Sequence, residues 1–203
     1  LPGAIAASVS VLDGFHIDGI VVLADAETIM DQAVDAYVGD TVERQLAEAH
    51  LVVLNKVDLV AADHLVTLHA WLGRMAPQAA VVPARHGKVP NAVVMQAFGA
   101  VPLAPSGSFA HAVPFDSRVI RIEAACDAEA VAAKLADPAL LLIRAKGFVA
   151  TPDGMRAIQV VGRRWHVSDA PRDAQPGVVV IAQSKLADFD AIQAMFAGAG
   201  TPA

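Results

Sequence analysis

Leu51-Val-Val-Leu-Asn-Lys-Val-Asp-Leu59 decides how the first half of this chain is read. Four apolar residues, two of them β-branched, run without a break and end on Asn55, Lys56 and Asp58. A run that short, set between helix-like stretches, predicts a strand buried on both faces. The polar residues then fall at its carboxyl end, where open α/β sheets bind their ligands. A carboxylate at Asp58 accepts two N–H donors at once, Lys56 offers an aliphatic stem as well as a charge, and the Asn55 amide both donates and accepts. The other reading of the same residues is a solvated strand-to-loop turn.

Working outward, residues 20–24 form another continuous apolar run that closes on Asp25, which predicts a second buried parallel strand. Asp25 itself is read as a cap for the helix that follows. From Glu27 to His50 the pattern is helical, with Ile29, Ala33 and Ala36, then Val42, Leu46 and Ala49, recurring at threes and fours; Gly39 divides it. Downstream, Asp63 is the expected N-cap of a helix carrying Leu65, Leu68, Leu72 and Met75, which Pro77 stops. Residues 80–84 predict a third strand, and Asn91 caps a brief helix to Phe98. Alternating strands and helices mean a parallel sheet with right-handed crossovers, the second half of a doubly wound α/β domain.

Composition sets the outer limits. The chain has 203 residues, enough for one large domain or two small ones. Its 55% hydrophobic content and mean hydropathy of +0.48 owe much to alanine. No apolar run approaches the roughly 18 residues of a membrane span, so no membrane partner is expected. No signal peptide is evident, and a single cysteine, Cys126, excludes an internal disulfide and fits a reducing, cytoplasmic setting. Cys126 reads as a small core residue rather than a nucleophile. The net charge is −6, with five Lys/Arg against eleven Asp/Glu in residues 1–100 and ten of each in residues 101–203. An acidic first half argues against general nucleic-acid binding, which needs a basic footprint. The asymmetry marks two units.

The proline-rich stretch 101–114 reads as the linker between a first unit at 1–100 and a second at 115–197. In the second, residues 119–123 alternate as a strand, Asp127 caps a helix carrying Val131 and Leu135, and Asp137-Pro138 ends it. Residues 140–149 are a strand, Pro152-Asp-Gly154 a hairpin turn, and 157–161 the return strand. A short piece at 165–167, a strand at 178–182 and a helix from Asp188 through Ile192 to Phe196 complete a small α+β, ferredoxin-like domain with two helices on one sheet face. Gly198-Ala-Gly200 reads as a frayed end.

The Asn-Lys-x-Asp spacing of Asn55, Lys56 and Asp58 resembles the guanine-specificity motif of P-loop GTPases. Asp58 would accept both N–H groups of the guanine edge, a pair adenine lacks, while the Lys56 stem lies over the purine and Asn55 ties the loop. Two separated patches then resemble the CobW-type GTPases, a group of cobalamin-synthesis accessory proteins, nitrile hydratase activators and metal chaperones. One patch is Asp18-Gly-Ile-Val-Val-Leu-Ala-Asp-Ala26 with Gln45, Ala49 and the Asn55 motif. The other is Leu142-Ile-Arg-Ala-Lys-Gly-Phe-Val149 with Gln159 and Gly162, similar to the family's C-terminal domain signature.

The resemblance implies a GTP-binding protein that couples GTP binding and hydrolysis to metal delivery or cobalamin-related cofactor assembly. In the intact protein it implies GTP with Mg²⁺, a divalent transition metal (zinc or cobalt), and a metalloprotein or cofactor-assembly client. The implied base-binding residues are Asn55, Lys56 and Asp58, with Ala84, Arg85 and His86 in the loop after the next strand approaching the base. The family's P-loop, Cys-x-Cys-Cys metal motif and switch segment lie upstream of the first patch and find no match here, and His50 stands where the family usually has an aspartate. The chain therefore reads as the C-terminal two-thirds of a family member. No catalytic residue is assigned, no GTP turnover is expected of these residues alone, and the unpaired sheet edge is expected to favour self-association.

No metal set is assigned either. His64 and His69 are five apart on a helix, about 140° around its axis, and His16, His50, His86, His111 and His166 are scattered. Arg163-Arg-Trp-His166 reads as a solvated hairpin end rather than a nucleic-acid contact. The rival functional reading is a protein-interaction module without a P-loop or nucleotide activity.

Overall fold

The computed structural model describes residues 1–95 and 115–197, and these fall into two compact units that divide after Pro90. The expected linker, the helix beyond Met95 and the frayed end lie outside the described residues.

The first unit opens with helix α1 (Pro2–Ser10), then strand β1 (Val21–Asp25), helices α2 (Ile29–Ala33) and α3 (Gly39–Glu48), strand β2 (Leu51–Asn55), helix α4 (Ala62–Met75) and strand β3 (Ala80–Pro83). The three strands make a parallel sheet in the order β1-β2-β3, with Asp25 level with Asn55 and Leu54 level with Pro83. β2 is central, and its apolar run is buried as its sequence demands: Leu51, Val52 and Leu54 have no exposed surface and Val53 keeps 5%. Burying each such side chain contributes about 1.5–3 kcal/mol. Val52 and Leu54 share a core with Ala24, Leu46, Leu68 and Leu72, so α3 and α4 lie against the same sheet face.

β1 departs from the expectation of a strand buried on both faces. Ala24 is buried, but Val21 and Leu23 are 42% and 67% exposed. β1 is a sheet edge, and these two side chains on its other face stay largely exposed while their neighbours Leu51 and Val53 on β2 are covered. The predicted helix is divided in two, but at residues 34–38; Gly39 opens the second helix, where a Cβ would sit 2.6 Å from the Ala33 carbonyl oxygen. Asp63 is not the N-cap of α4; Ala61 is, and Asp63 lies in the first turn, where its charge still suits the helix dipole. α1 carries no strong apolar pattern and buries none of its residues, so it gave no periodic signal in sequence. The Gly3 N–H donates to Glu48 of α3 at 2.7 Å.

The second unit starts with α5 (Asn91–Val94), followed by β4 (Phe115–Ile120), α6 (Ala128–Leu135), β5 (Leu142–Thr151), β6 (Gly154–Val161), β7 (Arg164–Asp169), β8 (Gly177–Gln183) and α7 (Phe189–Phe196). Its strands form one antiparallel sheet in the order β4-β8-β5-β6-β7. β4 and β5 run parallel on either side of β8, a split β-α-β unit of the ferredoxin-like kind. The capping carboxylates behave as their sequence positions require: Asp127 accepts from the Glu129 and Ala130 N–H groups, and Asp188 from those of Asp190 and Ala191. α6 and α7 bury Val131, Leu135, Ile192 and Phe196 in one core with Ala145, Val149, Val178 and Val180. β4 begins earlier than the alternation at 119–123 predicts and stops at Ile120.

Candidate functional site

The carboxyl ends of β1, β2 and β3 bring together the residues singled out in sequence. Asn55 ends β2, and its side-chain Oδ1 accepts from the Gly87 N–H at 2.9 Å, tying down the loop after β3. That loop is a tight turn in which Arg85 bridges Lys88. His86 and Gly87 take φ of +52° and +66°, the first a conformation that L residues rarely adopt. Ala84 is buried against β2 through its N–H to the Leu54 carbonyl at 2.8 Å, whereas Arg85 and His86 are exposed.

Lys56 also has a positive φ, +61°, and the chain kinks there. Beyond the kink Val57 turns into the core, its N–H reaching the Ala84 carbonyl at 3.3 Å, and Asp58 turns out to solvent. No protein group among the described residues pairs with the Asp58 carboxylate, which leaves both its oxygens as acceptors.

The Lys56 ammonium lies 2.6 Å from Asp25 Oδ2 and 3.4 Å from Glu27 Oε2. Asp25 is therefore not the helix cap expected of it: the N-cap of α2 is Thr28, and the Asp25 carboxylate holds Lys56 and the Glu27 N–H instead. The hydrogen bond and charge of Lys56 hold the Asp25 carboxyl below its usual range against partial desolvation, and Asp25 raises Lys56 in turn. Both groups stay ionised across neutral pH.

Two family models match the chain, and the first takes in Asp25, Asn55, Lys56 and Asp58 but ends before the loop at 84–88. Residues 3–83 match the CobW/HypB/UreG nucleotide-binding domain, and residues 115–199 match the cobalamin synthesis protein cobW C-terminal domain. The chain belongs to the CobW family.

The β1–β3 sheet is therefore the CobW-type nucleotide-binding domain, and the antiparallel sheet is the CobW C-terminal domain. Among solved structures, Zn(II)-bound YjiA GTPase from E. coli is 21% identical, over 99% of this chain and 68% of that one, with a TM-score of 0.41. A Zn(II)-bound triple mutant of YjiA is 22% identical over 98% and 67% of the two chains, with a TM-score of 0.41. No curated protein sequence matches significantly.

His50, where the family usually has an aspartate, accepts the Ile20 N–H at Nδ1 over 3.2 Å and so anchors the entry to β1. In the CobW C-terminal domain, sequence reasoning took residues 142–149 as part of a strand and as a family signature, and missed a buried pair of cations, Arg144 and Lys146. Their alternate positions on β5 put both on the sheet face away from the α6–α7 core. Arg144 donates to the carbonyls of Val93 and Val94 at the end of α5, at 3.4 and 2.7 Å. Cys126 is half-buried, directs its thiol to the Ala150 carbonyl, and is pushed up by burial and then by Asp127, which makes it a poor nucleophile at neutral pH.

No helix among the described residues is long and apolar enough to cross a membrane.

Proposed function

We propose that this CobW-family chain binds guanine nucleotide at the carboxyl end of its parallel sheet, with Asp58 reading the base, Lys56 lying against it, and Asn55 and the loop 84–86 shaping the pocket. In the natural protein this binding serves GTP-dependent delivery of a transition metal to a cytoplasmic metalloprotein or to cofactor assembly. The observation that carries the reading is the exposed, unpartnered Asp58 carboxylate beside a loop that Asn55 fastens. Guanine offers that carboxylate two N–H donors, and adenine does not.

The metal part of the proposal rests on the family alone. Among the described residues no three His, Cys, Asp or Glu side chains gather where they could hold an ion. The phosphates and Mg²⁺ likewise call for donors that these residues do not supply, so what this chain contributes is recognition of the base.

Each charge-assisted bond to Asp58 is worth about 1.5–3 kcal/mol, so GTP should bind at least ~10²-fold more tightly than ATP. Asp58→Asn presents a donor where an acceptor is needed; it should abolish that preference and turn it toward xanthosine triphosphate. The test is nucleotide affinity of the protein as its gene encodes it, wild type and Asp58→Asn. Equal wild-type affinity for GTP and ATP would reduce residues 55–58 to a turn and favour the interaction-module reading.

A further inference from the structure

We propose that Asp25, supported by Glu27, is a positioning residue for base binding: it anchors the Lys56 ammonium at the end of β1, so that the lysine presents its aliphatic stem, not its charge, to the ligand. This rests on the base-binding reading above and adds a residue and a role to it.

The geometry is specific. Asp25 is the last residue of β1 and lies level with Asn55 of β2. Its two oxygens do different things: Oδ1 accepts from the Glu27 N–H at 2.9 Å and fixes the turn, while Oδ2 holds Lys56 Nζ at 2.6 Å. The turn is fixed a second time where the Ala26 N–H donates to the Asn55 carbonyl at 2.9 Å. Glu27, brought in by that turn, reaches the same ammonium at 3.4 Å. Two carboxylates from one strand end therefore enclose one cation from the next, and the lysine charge is already compensated before any ligand arrives.

Stability does not account for this arrangement. The Lys56 side chain is 44% exposed and that of Asp25 28%, and ion pairs so exposed contribute little to folding. What the pair does is remove the freedom of a four-carbon stem that leaves the backbone at a kink with φ +61°. A free lysine would have to be ordered each time a base docked; an anchored one is ordered in advance. The same carboxylates screen the ammonium, so the anchored lysine adds surface to the pocket rather than attraction for phosphate.

The expected cost of losing the anchor is that of ordering one long side chain, about 2- to 12-fold in affinity. The experiment measures GTP and ATP affinity of the protein as its gene encodes it, in Asp25→Asn, Asp25→Glu, Lys56→Met and the double variant Asp25→Asn/Lys56→Met. Asp25→Asn should weaken GTP binding by about 2- to 12-fold while leaving the GTP-over-ATP ratio unchanged, and Asp25→Glu should recover part of the loss. The double variant should bind no more weakly than Lys56→Met alone, because Asp25 acts only through the lysine. Glu27→Gln, which removes the more distant partner, should cost less than Asp25→Asn. A wild type that prefers GTP but loses nothing in Asp25→Asn would overturn the anchor while sparing the base site. Full additivity in the double variant would do the same. A wild type without a GTP preference would overturn the base site and the anchor with it.

Discussion

Gly147→Ala is the sharpest test of the C-terminal sheet. Gly147 lies in β5 opposite Val178 of β8, and a Cβ placed on it would stand 2.1 Å from the Gly177 carbonyl oxygen, 2.7 Å from the Val178 Cα and 2.9 Å from the Gly177 carbonyl carbon. All three are backbone atoms of the neighbouring strand, so no side chain can swing aside to make room. Ordinary contact begins near 3.4 Å, and the two strands would have to part by about 1.3 Å at this point. That separation falls in the middle of the sheet, where β8 joins β4 to β5. Overpacking of a tight site costs typically about 1–3 kcal/mol, and for a unit of this size each kcal/mol lowers the melting temperature by about 4–8 °C. The expected drop is roughly 5–20 °C. Each unit contains one tryptophan, Trp71 on α4 and Trp165 on β7, so the melt is followed by fluorescence in a Trp71→Phe background, where only the second unit reports. A midpoint within about 2 °C of the parent would mean that β5 and β8 do not approach as closely as described.

Two further outcomes follow from the same unit. Burial, then the Arg144 charge, lowers Lys146 to about 8 from 10.5. Between those values the unfolded chain binds more protons, so stability rises from pH 8 to 10.5, and that gain is lost as pH falls back through 8. Urea midpoints of wild type and Lys146→Met across this window should diverge, the variant lacking the rise; parallel curves would refute a buried ammonium. Asp127→Ala removes the cap of α6 and should cost about 0.5–2 kcal/mol, while Asp127→Asn should keep most of the stability, since an amide oxygen can accept the same N–H groups. Thermal melts that rank the two substitutions equally would show that the cap is not what holds that helix end.

Signals carried by neighbouring residues were readable in the sequence. The buried run at 51–54, the capping aspartates 127 and 188 and the Pro152-Asp-Gly154 turn each depend on a few adjacent positions, and each appears where the pattern puts it. Residues 55, 56 and 58 could be placed at a strand end for the same reason. What could not be read depends on who stands beside whom. The Asp25–Lys56 contact joins two strands and exists only because parallel pairing puts Asp25 level with Asn55. Exposure of Leu23 reflects the edge position of β1, which its apolar composition does not reveal. Arg144 and Lys146 look like ordinary charged residues of an alternating strand until the alternation is seen to bury both faces. Asp63 was a fair cap by residue type, but the chain turns into α4 two residues earlier, at Ala61.

The position of β8 has a consequence for the order in which the chain can assemble as it is synthesised. In the parallel sheet, spatial order follows chain order, and each new strand adds to one already made. In the antiparallel sheet, β4 and β5 are made early but never touch; they wait for a strand that comes after both and fits between them. Until β8 emerges, β4 has no partner strand and the β5-β6-β7 meander shows an open edge at β5, so the sheet cannot close progressively. Pairings across so long a stretch of chain are slow to form, since loop closure comes before any contact rewards it. The ribosome would thus release β4 and the meander as separate pieces, and the last strand would join them into a sheet in one step.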